Sequence, residues 1–153
     1  MPADLKALKM TDEMFTITVQ DVADQTVLDG IGKPLGEFNT IAAGDDRYIP
    51  IAILIRDQAD NHIIGGLSGH SFYEWMYINL FFIPNALRGQ KLGQRRLAQA
   101  EAIARTRSCT GIWLNTFEFQ ARGFYEKQGF TLFGTIPDHP HGNNMYFLQK
   151  RLA

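Results

Sequence analysis

The run Leu87-Arg88-Gly89-Gln90-Lys91-Leu92-Gly93-Gln94 leaves an apolar stretch, Tyr77 to Ile83, and opens a helix-like pattern. A turn rich in Gly and cations at that place offers free backbone N–H groups, the positive end of a helix dipole and fixed charges. Such a turn suits a phosphate or pyrophosphate. It is not the nucleotide P-loop, because no Gly-Lys-Ser/Thr closes it. Nor is it the dinucleotide fingerprint, whose glycines fall at other offsets. Downstream, Phe124-Tyr125-Glu126-Lys127-Gln128-Gly129-Phe130 places one phenol, a possible proton donor, on a short helix. The plainer readings stand beside these: a turn with solvated charges, and a core aromatic whose hydroxyl is satisfied.

The rest of the chain must position these two segments. Its 153 residues suit one domain, 1–153, with a real core. Net charge is −1, so no general attraction to nucleic acid or to an anionic membrane is expected. Basic residues gather locally: six Lys or Arg against one acid, Glu101, between Arg88 and Arg107. The single cysteine, Cys109, excludes an internal disulfide and a cysteine metal cage, and reads as a small buried hydrophobe. The four His show no metal spacing beyond a weak His139-x-His141, so no metal is expected. The N-terminus lacks a signal pattern and no apolar run reaches about 18 residues. A cytoplasmic location is the expectation.

Alternation from Phe15 to Gln20 predicts a strand. Asp21 then caps a helix over 22–28 that Gly30 stops, and 30–46 reads as a loop with a helical piece near Phe38–Ala42. Strands follow at 48–56, 62–69 and 73–83, with Gly65-Gly66 suggesting a bulge or a close backbone approach. A helix over 88–106 carries Leu92, Leu97, Ala100, Ile103 and Ala104 on one stripe. Arg96 falls inside that stripe, so its stem must snorkel or its head must find a partner. A strand at 111–117, a short helix at 120–128 and a hairpin of 130–136 with 145–152 complete the chain. The expected fold is mixed α/β: a largely antiparallel sheet around a central β-α-β unit.

The motifs resemble those of the GNAT superfamily of N-acetyltransferases, in a small bacterial subgroup. The family's pyrophosphate motif, Gln/Arg-x-x-Gly-x-Gly/Ala, is matched by Arg88-x-x-Lys91-x-Gly93, with Lys91 in place of the first glycine. The later signature, Ala-x-x-Phe-Tyr-Glu-Lys-x-Gly-Phe, is matched from Ala121 to Phe130. The Asn often found three residues before that Ala is Glu118 here.

The resemblance implies a GNAT-like fold, acetyl-CoA as co-substrate and transfer of its acetyl group to an amine of a small molecule or peptide. It implies that Arg88, Gly89, Gln90, Lys91, Leu92, Gly93 and Gln94 hold the pyrophosphate, and that Phe81, Phe82 and Ile83 pair with the pantetheine arm. Tyr125 then protonates the departing sulfur as general acid. Lys91 has two readings, a direct phosphate contact or an outward side chain whose backbone N–H binds; the second requires a negative φ. The carboxylate that many members carry on the strand is Asn79 here, which suits positioning of a water or of the acceptor. Glu74 and Glu118 are the nearby carboxylates, and no base is secured. Phe38, Trp75 and Tyr77 are the candidate acceptor-lining residues, with His139 and His141 nearby.

Two other functions fit parts of this pattern. One is an acyl-CoA sensor without chemistry, suggested by Asn79 and Lys91. The other is an aminoacyl-tRNA acetylating toxin, which the near-neutral charge disfavours. A homodimer is expected, on the premise that the closing C-terminal strand forms a sheet edge.

Overall fold

The computed structural model describes residues 10–12 and 15–152. The chain divides into two compact units, Met1–Gly44 and Asp45–Ala153.

In the first unit, β1 (Met10–Asp12) pairs antiparallel with β2 (Phe15–Ile17), which stops short of the predicted Gln20. Helix α1 runs over Gln25–Ala43. Its cap is Asp24 rather than Asp21: the Asp24 carboxylate accepts the Val27 N–H at 3.0 Å. Gly44, at φ 82°, closes the helix with its N–H on the Thr40 carbonyl. The expected stop at Gly30 and loop over 30–46 are therefore wrong. Gly30, Gly32, Pro34 and Gly36 all lie inside the helix. Each breaker costs helix stability, about 1 kcal/mol for Gly and 3 for Pro. The recurrence of Leu28, Ile31, Leu35 and Phe38 runs straight through them, and that period outlasts the punctuation.

The second unit holds a six-stranded sheet in the order β3-β4-β5-β6-β8-β7. The strands are β3 (Ile49–Arg56), β4 (Ile63–Phe72), β5 (Trp75–Phe82), β6 (Gly111–Phe117), β7 (Thr131–Ile136) and β8 (Met145–Arg151). All neighbours are antiparallel except β5 and β6, which run parallel. The crossover between those two contains a 3₁₀ turn (Asn85–Leu87) and α2 (Leu92–Thr106). A short α3 (Arg122–Lys127) joins β6 to β7. Period-2 alternation buries Met76 and Ile78 of β5, Ile112 and Leu114 of β6 and Leu148 of β8 in one cluster with Leu97, Ala100 and Ala104 of α2. Cys109 is buried there too, as a small hydrophobe. Tyr77 and Asn79 therefore point to the opposite face.

Two expectations change here. The predicted start of the second helix at Arg88 moves to Leu92, because residues 88–91 form the turn itself. The C-terminal strand β8 is not an edge: it lies between β6 and β7, and the edges of the sheet are β7 and β3.

Candidate active site

The central feature is where β5 and β6 stop pairing. Their register runs from Trp75↔Gly111 to Ile78↔Leu114 and then ends, although β5 continues to Phe82 and β6 to Phe117. The cause lies in the β4–β5 ladder. Ser68 faces Leu80 and Gly69 faces Ile78, so Asn79 is the extra residue of a bulge. Gly69 permits that bulge. A Cβ there would sit 1.9 Å from the Tyr77 carbonyl oxygen, closer than any side chain allows. Beyond the bulge β5 follows β4 and β6 follows β8, which leaves the facing edges of 79–82 and 115–117 unpaired with each other.

The turn at the head of α2 lies next to this opening. Gly89 takes φ 80° and Lys91, the N-cap residue, takes φ 57° and ψ 19°. The negative φ that the outward reading of Lys91 required is thus not met. A left-handed lysine costs roughly 1–2 kcal/mol, a penalty that a glycine would escape. The first N–H of the helix to find a backbone acceptor is that of Arg95, on the Lys91 carbonyl at 3.0 Å. Among the described residues, the N–H groups from Gly89 to Gln94 have none.

Cations surround that turn without carboxylate partners among the described residues: Arg88, Lys91, Arg95 and Arg96 form no ion pair. Arg88 braces the strand exit instead, its Nε donating to the Ile83 carbonyl at 3.0 Å. Arg95 reaches the Gln90 carbonyl at 3.4 Å. Arg96 neither snorkels fully nor finds a partner: its Nε is sealed from solvent with no hydrogen bond. Free N–H groups and cations without carboxylate partners fit a polyanion such as a pyrophosphate.

Tyr125 closes the far side. On α3, it is 7% exposed and packs its ring 6.3 Å from Phe81, 5.2 Å from Phe124 and 5.9 Å from Phe130. Its hydroxyl has no protein partner among the described residues and is not among the atoms sealed from solvent. Burial pushes its pKa up to about 12, so the phenol stays protonated at neutral pH. Phe124 touches the α2 turn: a Cβ on Gly93 would meet the Phe124 ring at 3.4 Å and Ile83 at 3.5 Å. The structure thus gathers Phe81, Ile83, Gly93 and Tyr125 in one place.

The other predicted residues separate. Tyr77 and Asn79 stand together at the bulge, where the Tyr77 hydroxyl donates to Asn79 Oδ1 at 3.4 Å. Phe82 is exposed, with the Arg88 guanidinium 6.0 Å from its ring. Trp75 lies at the closed end of β5, where it covers Gly111 and carries Arg151 5.5 Å over its ring. Four residues of strand, about 13 Å, separate it from Asn79. Phe38 lies on α1, in the first unit. His139 packs edge-on to Phe117 at 5.6 Å, and His141 bonds to Asp138 in the β7–β8 loop. Both candidate carboxylates are engaged. Glu74 is ion-paired with Arg47, and Glu118 accepts the Asn144 N–H at 2.8 Å.

One residue that sequence reasoning missed joins the bulge group: Asn115 of β6, whose Nδ2 donates to the Tyr77 hydroxyl at 3.1 Å. No spacing in the sequence marks it, because the partnership depends on the parallel register of two strands joined only through α2.

Known proteins share this chain's sequence pattern and fold. The sequence model of the acetyltransferase (GNAT) family matches residues 29–130. The chain is 37% identical over 133 residues to the acetyltransferase Atu2258 of Agrobacterium fabrum, covering 87% of this chain and 96% of that protein. It is 41% identical over 121 residues to the blasticidin-S acetyltransferase of Streptomyces morookaense, covering 78% and 79%. A crystal structure of a candidate acetyltransferase from Agrobacterium tumefaciens superimposes with a TM-score of 0.85 at 36% identity, over 90% of this chain and 100% of that one. A family model that covers two thirds of the sequence and relatives this similar over most of their length show that the chain belongs to the GNAT family of acetyltransferases.

Proposed function

We propose that this protein moves the acetyl group of acetyl-CoA directly to the amine of a small molecule, with residues 1–153 serving that one activity in the cytoplasm. The observation that carries the reading is the end of β5–β6 pairing at Ile78↔Leu114, beside a turn whose N–H groups have no backbone acceptor and whose cations have no carboxylate partner among the described residues. The N–H groups of Gly89 to Gln94, with Arg88 and Lys91, hold the pyrophosphate. The unpaired edge of β5 at Phe81 to Ile83 takes the pantetheine amides, as a third strand would. The thioester then lies near Phe81, within the neighbourhood of the Tyr125 hydroxyl. Tyr125 gives its proton to the departing sulfur. The blasticidin-S acetyltransferase relative supports a small-molecule acceptor over a macromolecular one. The chain's near-neutral charge supports this too. Among the described residues, no helix is long and apolar enough to cross a membrane.

The test is release of free thiol from acetyl-CoA against a panel of amines. Turnover with a small amine upholds the reading. Tight CoA binding without thiol release to any amine would make the protein a sensor. A homodimer remains part of the proposal on a revised ground. The edge strand β7 exposes Leu132, Phe133 and Ile136, which suits pairing with a second copy, and light scattering decides it.

A further inference from the structure

Acetyl transfer requires the acceptor nitrogen to be neutral when it attacks. The side chains that meet at the bulge are themselves neutral. Asn115 Nδ2 donates to the Tyr77 hydroxyl, which donates in turn to Asn79 Oδ1 over a long 3.4 Å. This chain of donors fixes the amide orientations, leaving Asn115 Oδ1 as a free acceptor and Asn79 Nδ2 as a free donor. An amide oxygen can orient an N–H but cannot keep a proton at neutral pH.

The two carboxylates that the sequence offers as bases have other partners. Glu118 both accepts the Asn144 N–H and donates its own N–H to the Asn144 carbonyl at 2.9 Å, which ties the β7–β8 loop to the end of β6. Glu74 sits in the β4–β5 hairpin turn, at the closed end of β5, paired with Arg47. The titratable groups that face the network are few. From β4, His70 lies edge-on to Tyr77 at 5.6 Å; from β3, Tyr48 lies against His70 at 4.9 Å. From β8, the residues opposite Trp113 and Asn115 are Gln149 and Phe147. Arg151 is spent on Trp75, and His139 on Phe117.

We propose that the acceptor is a weakly basic amine, such as an α-amino, aryl-amine or hydrazine nitrogen, which enters already neutral and is held by Asn115 Oδ1. This inference rests on the acetyl-transfer reading above. In the step itself the nitrogen lone pair forms the C–N bond and the C–S bond breaks. The nitrogen releases its extra proton to water, and the sulfur takes one from Tyr125, which regains it from solvent. At pH 7 a lysine-type amine of pKa about 10.4 is neutral in roughly one molecule in 2,500, and an α-amine of pKa about 7.8 in roughly one in seven. The second class therefore offers a few hundred-fold more neutral amine at pH 7 to a site that supplies no base.

The experiment is the pH dependence of kcat/KM between pH 6 and 10 for primary amines whose own pKa values span about 8 to 10.4. The expected result is a limb that moves with each amine's pKa, and rates that become level in pH once expressed per neutral amine. A limb that stays fixed as the amine changes overturns the inference and leaves acetyl transfer standing. If His70→Gln erases that fixed limb, the base is His70. No thiol release with any amine overturns the acetyl-transfer reading itself.

Asn115→Ala should raise KM for the amine with acetyl-CoA affinity and Tm unchanged, a pattern that a merely structural asparagine would not give. Asn115→Asp places a carboxylate at the network and should add an acidic, enzyme-borne limb while improving lysine-type amines. An Asn115→Asp profile indistinguishable from wild type overturns the placement of the acceptor at Asn115.

Discussion

At the head of α2 the protein presents backbone N–H groups, Lys91 and three arginines; at the β5 bulge it presents a phenol and two amides. The first region is built from main chain and fixed charge. The second is built from neutral side chains whose orientation depends on one another. On the function proposed above, this difference follows from what each end does. A pyrophosphate is a constant ligand, and a helix terminus recognises it without reference to side-chain identity. An acceptor amine varies, and only side chains at the opening can select it. The same contrast decides which substitutions break binding and which break chemistry.

The largest effect should come from Gly93→Val. Its branched carbons would meet Phe124 and Ile83, where even a Cβ comes within 3.4 and 3.5 Å. Overpacking of this kind costs about 1–3 kcal/mol and displaces the α2 turn from the strand exit. CoA binding in calorimetry should be lost while circular dichroism stays native. Unchanged affinity would remove the turn from the site.

Tyr125→Phe comes next and separates the two regions cleanly. It keeps the ring against Phe81, Phe124 and Phe130 and deletes only the hydroxyl. Turnover should fall by about 10²–10⁴-fold with CoA affinity and neutral-pH Tm little changed. The raised pKa gives a second signature. A group whose folded pKa lies above its unfolded value contributes stability that is whole below pH 10 and is lost as pH rises toward about 12. Tyr125→Phe should lack its share of that alkaline loss. Full turnover in the variant would show that thiolate leaves unprotonated.

The contrast also explains what could be read from the sequence. Strand β6 over 111–117 and the motif around Tyr125 were legible because local alternation and a contiguous signature define them. The run of α1 through Gly30 and Pro34 was not, because breakers weigh more in a local reading than a period sustained over nineteen residues. The turn was legible as a turn, but its left-handed lysine was not, since φ at 91 is set by how α2 meets β5. Asn115 was invisible for the same kind of reason. Its partner Tyr77 lies thirty-eight residues earlier, and only the parallel register joins them. The edge of the sheet was misplaced because a C-terminal strand reads as last in space when it is only last in sequence.

Lys91 is the point at which the backbone and the charge of the turn can be separated. Lys91→Gly removes the left-handed penalty, so stability should rise by about 1 kcal/mol. If the backbone N–H alone binds, CoA affinity and its salt dependence will be unchanged. If the ammonium contacts phosphate, affinity will drop and the salt dependence will flatten. Either result ranks the two contributions that the turn combines. A loss of stability in Lys91→Gly would instead mean that the lysine stem packs usefully.

The smallest effect concerns the frame that holds both regions. Glu101 of α2 accepts from Lys150 of β8 at 2.8 Å and from Arg105 at 3.0 Å, so it fastens the helix that carries the turn to the sheet that carries the bulge. Burial alone would raise its pKa, but the hydrogen bonds to Lys150 and Arg105 outweigh that and hold the carboxyl below its ordinary value of 4.5. A carboxyl depressed in the folded state contributes stability that is present above its unfolded pKa and disappears as pH falls through the folded one. Glu101→Gln should therefore cost stability at pH 7, flatten the decline below pH 4.5 and leave the two enzymes nearly equal at the acid end. The partners are only partly shielded from water, so the cost at pH 7 should be about 1 kcal/mol or less. Denaturant melts at pH 7, 5 and 3 measure it. If the clamp serves only as a fastening, acetyl-CoA affinity and the pH profile for the amine will match wild type. A shifted amine profile would mean that Glu101 reaches the chemistry through β8, and that the charged and neutral regions are electrically coupled.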